Sequence, residues 1–429
     1  MPHRSGPPAL NRTLDEPNVA ARARHVYLML VVSFAMMGAS LTLFEVNFPS
    51  FLRERFGVGE WFRGFLEFPR ESQGFAVVFY VVILGGLTER RLFSIAAILS
   101  GLGLVGLALV PAKVLADGAS GILPGLPMIL MVMIHSAGFH LGATMQRCII
   151  LDHGQLADAG ARLGKVGFWC TLAGLAAAAF VWGVRKSAAV DFSFFFLCAA
   201  GLAFGAVVVT QLALRRVPAV RPPQRRLVLK RKFLRYYALC ALFGVRKQVF
   251  ITFALWVLVT VYHQPVETIA LLWVITMTAN LVTQPWIGWL IDRFGPRRVL
   301  TVDAVCLVAV CLLYGYSETL FPAPLALFAV GLIYVCDHVL FFVGAARAVY
   351  VGAITDDSQE MGTTLSMGMT IDHIFSMSVP FLGGVIWKVF GYEAVFLVAA
   401  GIGCLTVVTA RGIPDVAHAH LEGASRLAP

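Results

Sequence analysis

Gly288-Trp289-Leu290-Ile291-Asp292-Arg293-Phe294-Gly295-Pro296-Arg297-Arg298 is a short charged interruption between two apolar runs, 267–291 and 299–318. Glycines permit a tight reversal, an aspartate suits a helix start, and arginines favour helix C-termini and lipid phosphate. Each flanking run approaches the roughly 20 apolar residues that carry a helix across about 30 Å of hydrocarbon. Two membrane crossings joined by a brief polar turn are therefore expected here, and the fold becomes a question of how many such units the chain holds.

Twelve runs qualify, near 26–51, 69–87, 93–112, 125–150, 163–184, 192–214, 236–262, 267–291, 299–318, 323–351, 362–388 and 391–412. The second is the least regular, because Pro69, Arg70 and Glu71 crowd its start. Of the 429 residues 59% are hydrophobic and 14% charged, against about 25% charged in soluble domains. An all-α membrane protein of twelve transmembrane helices is the fold class expected. Residues 1–25 contain proline and arginine and precede an apolar run too long for a signal core, so the first span is expected to stay in place. Eight cysteines fall in or beside spans without a C-x-x-C pair, which suggests neither disulfide framework nor structural zinc.

Orientation follows from the 34 Lys and Arg, since short cytoplasmic loops are enriched in them. With the N-terminus inside, 23 fall on inner segments and 8 on outer ones, while Arg147, Arg246 and Lys247 lie within spans. Both termini are expected in the cytoplasm, in a plasma or inner membrane. The net charge of +10 is explained by this asymmetry and by anionic inner-leaflet lipid, so nucleic acid is not called for as a partner. Nine basic residues between Arg215 and Arg235, with Pro222-Pro223 among them, divide six spans from six. The expected organisation is a tail (1–25), a six-helix half (26–214), a basic linker (215–235), a second half (236–412) and a tail (413–429). An offset of about 200 residues brings Arg147 onto Arg347, Gly167 onto Gly368 and Glu45 onto Arg246/Lys247, as an internal repeat would.

The loop 288–298 resembles the signature of the major facilitator superfamily, G-x-L-x-D-R-x-G-R-R, through Gly288, Leu290, Asp292, Arg293, Gly295, Arg297 and Arg298. Its first-half copy, Gly85 to Arg91, carries Glu89 in place of Asp and lacks the second glycine. The resemblance implies two halves that rock about a central cavity lined by spans 1, 4, 7 and 10, with the loop as a conformational motif.

A charge at bilayer depth costs at least about 2.5–3.5 kcal/mol and persists mainly where it faces water or a partner. Ionisable residues at such depth are Glu45 (span 1), His135 and His140 (span 4), Arg246 and Lys247 (span 7), Asp337 and His338 (span 10), and Asp372 and His373 (span 11). Arg246 and Lys247 differ by about 100° around their helix, so only one points at a common axis; that one is expected, with Glu45, His140 and Trp256, to bind or gate the substrate, the alternative being static ion pairs of both with Asp337 and Asp372. Asp337, Asp372, His338 and His373 are candidate proton carriers. Glu45 precedes Asn47 and Pro49, a site where freed carbonyls beside a carboxylate suit a cation or proton. Trp256, on one face with Phe253, is a candidate cavity wall, while Asp303 is expected in the loop network near its helix end. Arg147 and Arg347 sit near span ends, where snorkelling to phosphate explains them.

No Walker sequence, dinucleotide fingerprint or ATP-hydrolysing soluble domain is present, which leaves gradients as the energy source and argues against an enzyme. The expectation is a monomeric, cofactor-free secondary transporter moving a small polar or anionic solute by alternating access, with protons as co-substrate. Export of amphipathic compounds, a haem protein using the deep histidines, and a non-transporting sensor are the alternatives.

Overall fold

A computed structural model describes residues 17–84, 86–152, 159–215, 229–355 and 358–414. Most of both tails and of the basic linker lies outside the described residues.

Long apolar sequences with few helix-breaking turns form helices because a helix satisfies its own backbone groups in lipid. In order these are α1 (Pro17–Phe56), α2 (Glu60–Ile83), α3 (Glu89–Leu109), α4 (Ile122–Asp152), α5 (Ala159–Ser187) and α6 (Phe192–Leu214). After the linker, α7 spans Arg231–Thr260, and the segment Val266–Gly315 breaks at Gly295 into α8 (266–294) and α9 (296–315). The chain ends with α10 (Ala323–Ile354), α11 (Ser358–Phe390) and α12 (Tyr392–Arg411). The reversal at Gly295 needs φ 78°, a left-handed value glycine adopts without penalty, and Pro296 then starts α9. The charged turn that marked the fold is thus a one-residue hinge.

Ten helical segments are long and apolar enough to cross a membrane by length and composition. One of these is the α8–α9 pair, and α2 falls outside the group because of its charges, so the described residues give twelve crossings. The second span was expected over 69–87, yet α2 begins at Glu60. Arg63 and Arg70, two of the eight basic residues counted above on outer segments, belong inside the bundle, which sharpens the positive-inside asymmetry.

In the first half α1 packs on α5 and α6, and α3 on α4 and α6; in the second, α12 packs on α7 and α11 on α7. The halves meet chiefly where α2 crosses α11 and α5 crosses α8. A Cβ on Gly64 would lie 2.3 Å from the Pro380 carbonyl and one on Gly384 2.8 Å from that of Glu60, so α2 and α11 touch backbone to backbone there. Trp61 and Phe65 close the same level against Phe381, with Lys388 reaching Asp117 at 3.0 Å.

The buried apolar residues explain the shape. At the end holding that crossing, one core runs through both halves, from Phe48 and Phe51 of α1 to Trp256 of α7 and Trp387 of α11. Toward the other end, where Arg90, Arg231 and Arg293 lie, the core divides. One cluster (Leu30, Phe34, Phe93, Ile149) belongs to the first half and another (Phe233, Tyr237, Leu300, Tyr350) to the second. A shared core at one end and two separate cores at the other describe halves joined at one level and parted at the basic end.

Candidate functional site

Arg63, Glu67, Arg70 and Glu71 follow one another on α2 at spacings of four, three and one, which sets them along one helix face. Glu67 is fully buried and accepts from Arg63 on one side and from Arg70, at 3.0 Å, on the other. Arg70 continues to Glu45 of α1. Phe44 and Phe48 of α1 lie 5.8 and 5.7 Å from the Arg70 guanidinium, and Trp256 of α7 lies 6.0 Å from that of Arg63. The second oxygen of Glu67 takes a 2.9 Å hydrogen bond from Gln248 of α7, which also donates to Thr252 at 3.2 Å. An ionic rail on the first half is thereby tied to the second.

The second half builds its own network. Arg246 is buried with Nη1 3.5 Å from Asp303 of α9 and Nη2 3.3 Å from Asp337 of α10. Lys247, rotated about one residue around α7, meets Asp372 of α11 at 3.0 Å, and Ser376 donates to the same carboxylate at 3.2 Å. Gly244 permits this, since a Cβ there would stand 2.5 Å from the Asp372 carbonyl oxygen. Both static pairings foreseen for Arg246 and Lys247 are therefore present. Asp303 is not a member of the loop network: seven residues past the start of α9, or about 10 Å inward, it faces α7.

Between the two networks lies a smaller group. His373 of α11 places Nδ1 3.6 Å from Glu71 Oε2, and its ring meets that of His140 of α4 with centroids 5.0 Å apart. The other histidines stay within their halves: His135 Nδ1 is 3.0 Å from Ser100 Oγ, and His338 Nδ1 is 3.0 Å from the Tyr334 carbonyl and 3.9 Å from Asp337.

Several expectations change. Trp256 and Phe253 are fully buried, so they plug the joined end instead of walling a cavity. Glu45 has Arg70 for a partner; α1 runs through Pro49, and Asn47 donates to Leu43 in its own helix at 2.8 Å. Arg347 does not snorkel: it donates to the Gly344 and Leu239 carbonyls at 3.3 and 3.4 Å and lies 3.5 Å over the Phe243 ring. In the motif loop Arg293 stacks on Trp289 and Phe294. Gly288, Asp292, Arg297 and Arg298 make no ion pair among the described residues, and the loop stands apart from the ionic core. The largest omission in the sequence reading is α2. Its Arg-x3-Glu-x2-Arg spacing was the available signal, because charges that recur on one helix face can neutralise each other inside a bundle.

Comparison with known proteins fits this geometry. The profile described as Major Facilitator Superfamily matches residues 237–426. Multidrug resistance protein MdtG of Escherichia coli O139:H28 is 27% identical over 152 residues, 33% of this chain and 34% of the relative, so the match spans about a third of that protein. Among solved structures, the nucleoside transporter NupG aligns with a TM-score of 0.68 at 14% identity, over 90% of this chain and 98% of the other. The Escherichia coli xylose transporter XylE, in a partially occluded inward open conformation, aligns with a TM-score of 0.66 at 13% identity, over 92% and 98%. With twelve crossings in two six-helix halves and a hinged turn between α8 and α9, the chain is a multi-pass membrane protein with the fold of these transporters, and its second half is similar to the major facilitator superfamily.

Proposed function

We propose that the protein is a secondary active transporter that moves a small polar solute by rocking its two halves, with protons as the coupling ion. The observation that carries this reading is an imbalance of charge in the middle of the bundle. Glu45, Glu67, Glu71, Asp303, Asp337 and Asp372 are six carboxylates, set against four cations, Arg63, Arg70, Arg246 and Lys247. Each of those cations already faces a carboxylate. Among these paired groups two negative charges are left over, one at Arg246/Asp303/Asp337, where the next cation, Arg347, is held by backbone carbonyls and the Phe243 ring, and one at Glu71, and each has a histidine beside it, His338 and His373. Uncompensated charge is expensive in a low-dielectric interior, so protons or a cationic solute are the natural complement. An anionic solute finds no cation here without a partner to displace, which favours a neutral or cationic one.

The positive-inside asymmetry sets the basic end, where the halves part, in the cytoplasm with both termini. The passage then opens inward and is shut outside by the α2–α11 crossing. Export of amphipathic compounds is the second reading, favoured by the name of the MdtG relative.

A thermal-shift screen of neutral, cationic and anionic metabolite classes at pH 5.5 and 8 would find candidate solutes, since a ligand of the folded state raises the melting temperature. Proteoliposomes carrying a pH-sensitive dye would then be challenged with a gradient of each. Solute-driven proton movement, abolished by Asp372→Asn, is the expected result. Solute movement with no proton flux at any gradient would remove the coupling, and an absence of any solute movement would remove the transporter.

A further inference from the structure

Most ion pairs in the bundle join helices of one half. The contact between Glu71 and His373 joins the two halves at mid-depth, and the imidazole is a partner that can take up a proton and so become a cation facing that carboxylate. Resting on the transport reading above, we propose that Glu71, His373 and His140 form a proton-binding site across the interface, whose occupancy decides whether α2 and α11 stay together at that level.

The site is shaped for the imidazole. Gly74 follows Glu71 by three residues on the same face of α2, and a Cβ there would stand 2.5 Å from His373 Nδ1. A side chain at that position would displace the imidazole from the recess where His373 of the second half enters between α2 and His140 of α4. Once inside, Nδ1 is buried without a hydrogen-bond partner, 3.6 Å from Glu71 Oε2 and just beyond bonding reach. The pair is assembled but not closed.

The charges around it show what closes it. Arg70 on α2 is taken by Glu45 of α1 and by Glu67. Lys247 on α7 is taken by Asp372 of α11. With Arg63 on the far side of Glu67, these three cations and three carboxylates are neutral in sum, and the Glu71 carboxylate is balanced only when a proton resides on Glu71, His373 or His140. One proton from water gives carboxylate and imidazolium, an N–H donor facing an oxygen acceptor and a strong charge-assisted bond across the interface. Its loss leaves a carboxylate facing two neutral rings in a dry crossing, a state relieved by parting the helices and admitting water. The Gln248–Glu67 bond nearer the joined end has a neutral donor that keeps its protons, so it holds the halves without responding to pH.

The test uses the full chain in nanodiscs with Lys165→Cys in the first half and Arg231→Cys in the second, both exposed at the basic end. These are spin-labelled with a membrane-impermeant reagent, the native cysteines being inside the helices. The inter-label distance distribution is read from pH 5 to 8.5. If one proton is bound per closure, the ratio of the two distance populations changes up to about tenfold per pH unit across the titration range. Glu71→Gln and His373→Gln are expected to flatten that slope, and His263→Asn, an exposed loop histidine, to leave it intact. Gly74→Ala, which alters no titratable group, is expected to flatten it too and serves if a charge variant fails to fold. Two populations with a wild-type slope in Glu71→Gln, His373→Gln or Gly74→Ala overturn the proton site and leave rocking standing, as do two populations that ignore pH in the unaltered chain. A single fixed distance under all conditions overturns both readings.

Discussion

The two halves stabilise buried charge in different ways. In the first, Arg63, Glu67 and Arg70 sit on a single helix within two turns, and their bonds follow from local spacing as soon as α2 forms. In the second, Arg246 gathers Asp303 and Asp337 from two other helices at 3.5 and 3.3 Å, so the network exists only once α7, α9 and α10 have packed. The helices differ as well. α7 passes into a π-helical turn at Phe250–Ala254 just beyond Arg246 and Lys247, and α10 tightens into a 3₁₀ turn at Phe341–Gly344 just beyond Asp337 and His338. Such interruptions in membrane helices recur at hinges and functional sites. Arg347 returns hydrogen bonds to the Gly344 and Leu239 carbonyls beside the second of them, a repair that holds the irregularity in place. The first half thus offers a preassembled rail, and the second a looser and adjustable set of charges.

This contrast breaks most readily at Glu67. Glu67→Ala strands Arg63 and leaves Arg70 with Glu45 alone, and a buried charge deprived of its partner costs about 3–5 kcal/mol. Asp303→Asn leaves Arg246 with Asp337 and is expected to cost about 1–3 kcal/mol, the range for a lost bond to a charged group. Both are measurable as melting temperatures in detergent by tryptophan fluorescence. Equal losses would mean that the two networks are equally stiff, and the distinction would fall.

A smaller effect is expected where the halves touch. In Gly384→Ala the new methyl meets the backbone of Glu60, Gly64 and Trp61 at 2.8 to 3.2 Å, and backbone cannot swing aside. Overpacking of this kind costs about 1–3 kcal/mol, here charged against the joined state alone, which corresponds to a shift of roughly 5–150-fold in the conformational equilibrium. With the labels at Lys165→Cys and Arg231→Cys, the closer of the two distances should gain population as the opposite end opens. An unchanged distribution would show that the crossing is not the fulcrum.

How much of this the sequence displayed depends on the kind of contact. Isolated charges in apolar runs stood out one by one, and Arg246, Lys247, Asp337 and Asp372 all proved to lie in the ionic core. Their pairing was legible as a set of alternatives, because complementary charges were visible but helix rotation was not. Asp303 was misplaced since depth was counted from an assumed loop, whereas the chain reverses at the single residue Gly295. The rail on α2 went unread for the opposite reason. Hydropathy penalises every charge equally, and four charges in nine residues look like a loop unless their spacing is weighed first. Gly74 carried no signal at all, since the need for glycine arises from a histidine 299 positions later that only the tertiary fold brings near.

The smallest expected effect lies outside the membrane, where water screens what the interior magnifies. Asp191 caps α6, accepting from the Ser193 backbone N–H at 2.8 Å, with Arg55 3.5 Å away. The hydrogen bonds from Ser193 hold its carboxyl below the usual carboxylate range, against a weaker opposing effect of burial. A carboxylate favoured in this way stabilises the fold above its unfolded pKa of about 3.9, and the contribution fades as pH falls through the lower folded value. Because 57% of the side chain is exposed, screening keeps the ionic part small, and Asp191→Ala is expected to cost about 1 kcal/mol or less, the usual worth of an N-cap. Melting temperatures of the variant and the unaltered chain should therefore differ by a constant small amount from pH 8 to 5 and converge below pH 4. A gap that widened toward acid would place the stabilising proton on the neutral acid instead, and would contradict the capping geometry at the head of α6.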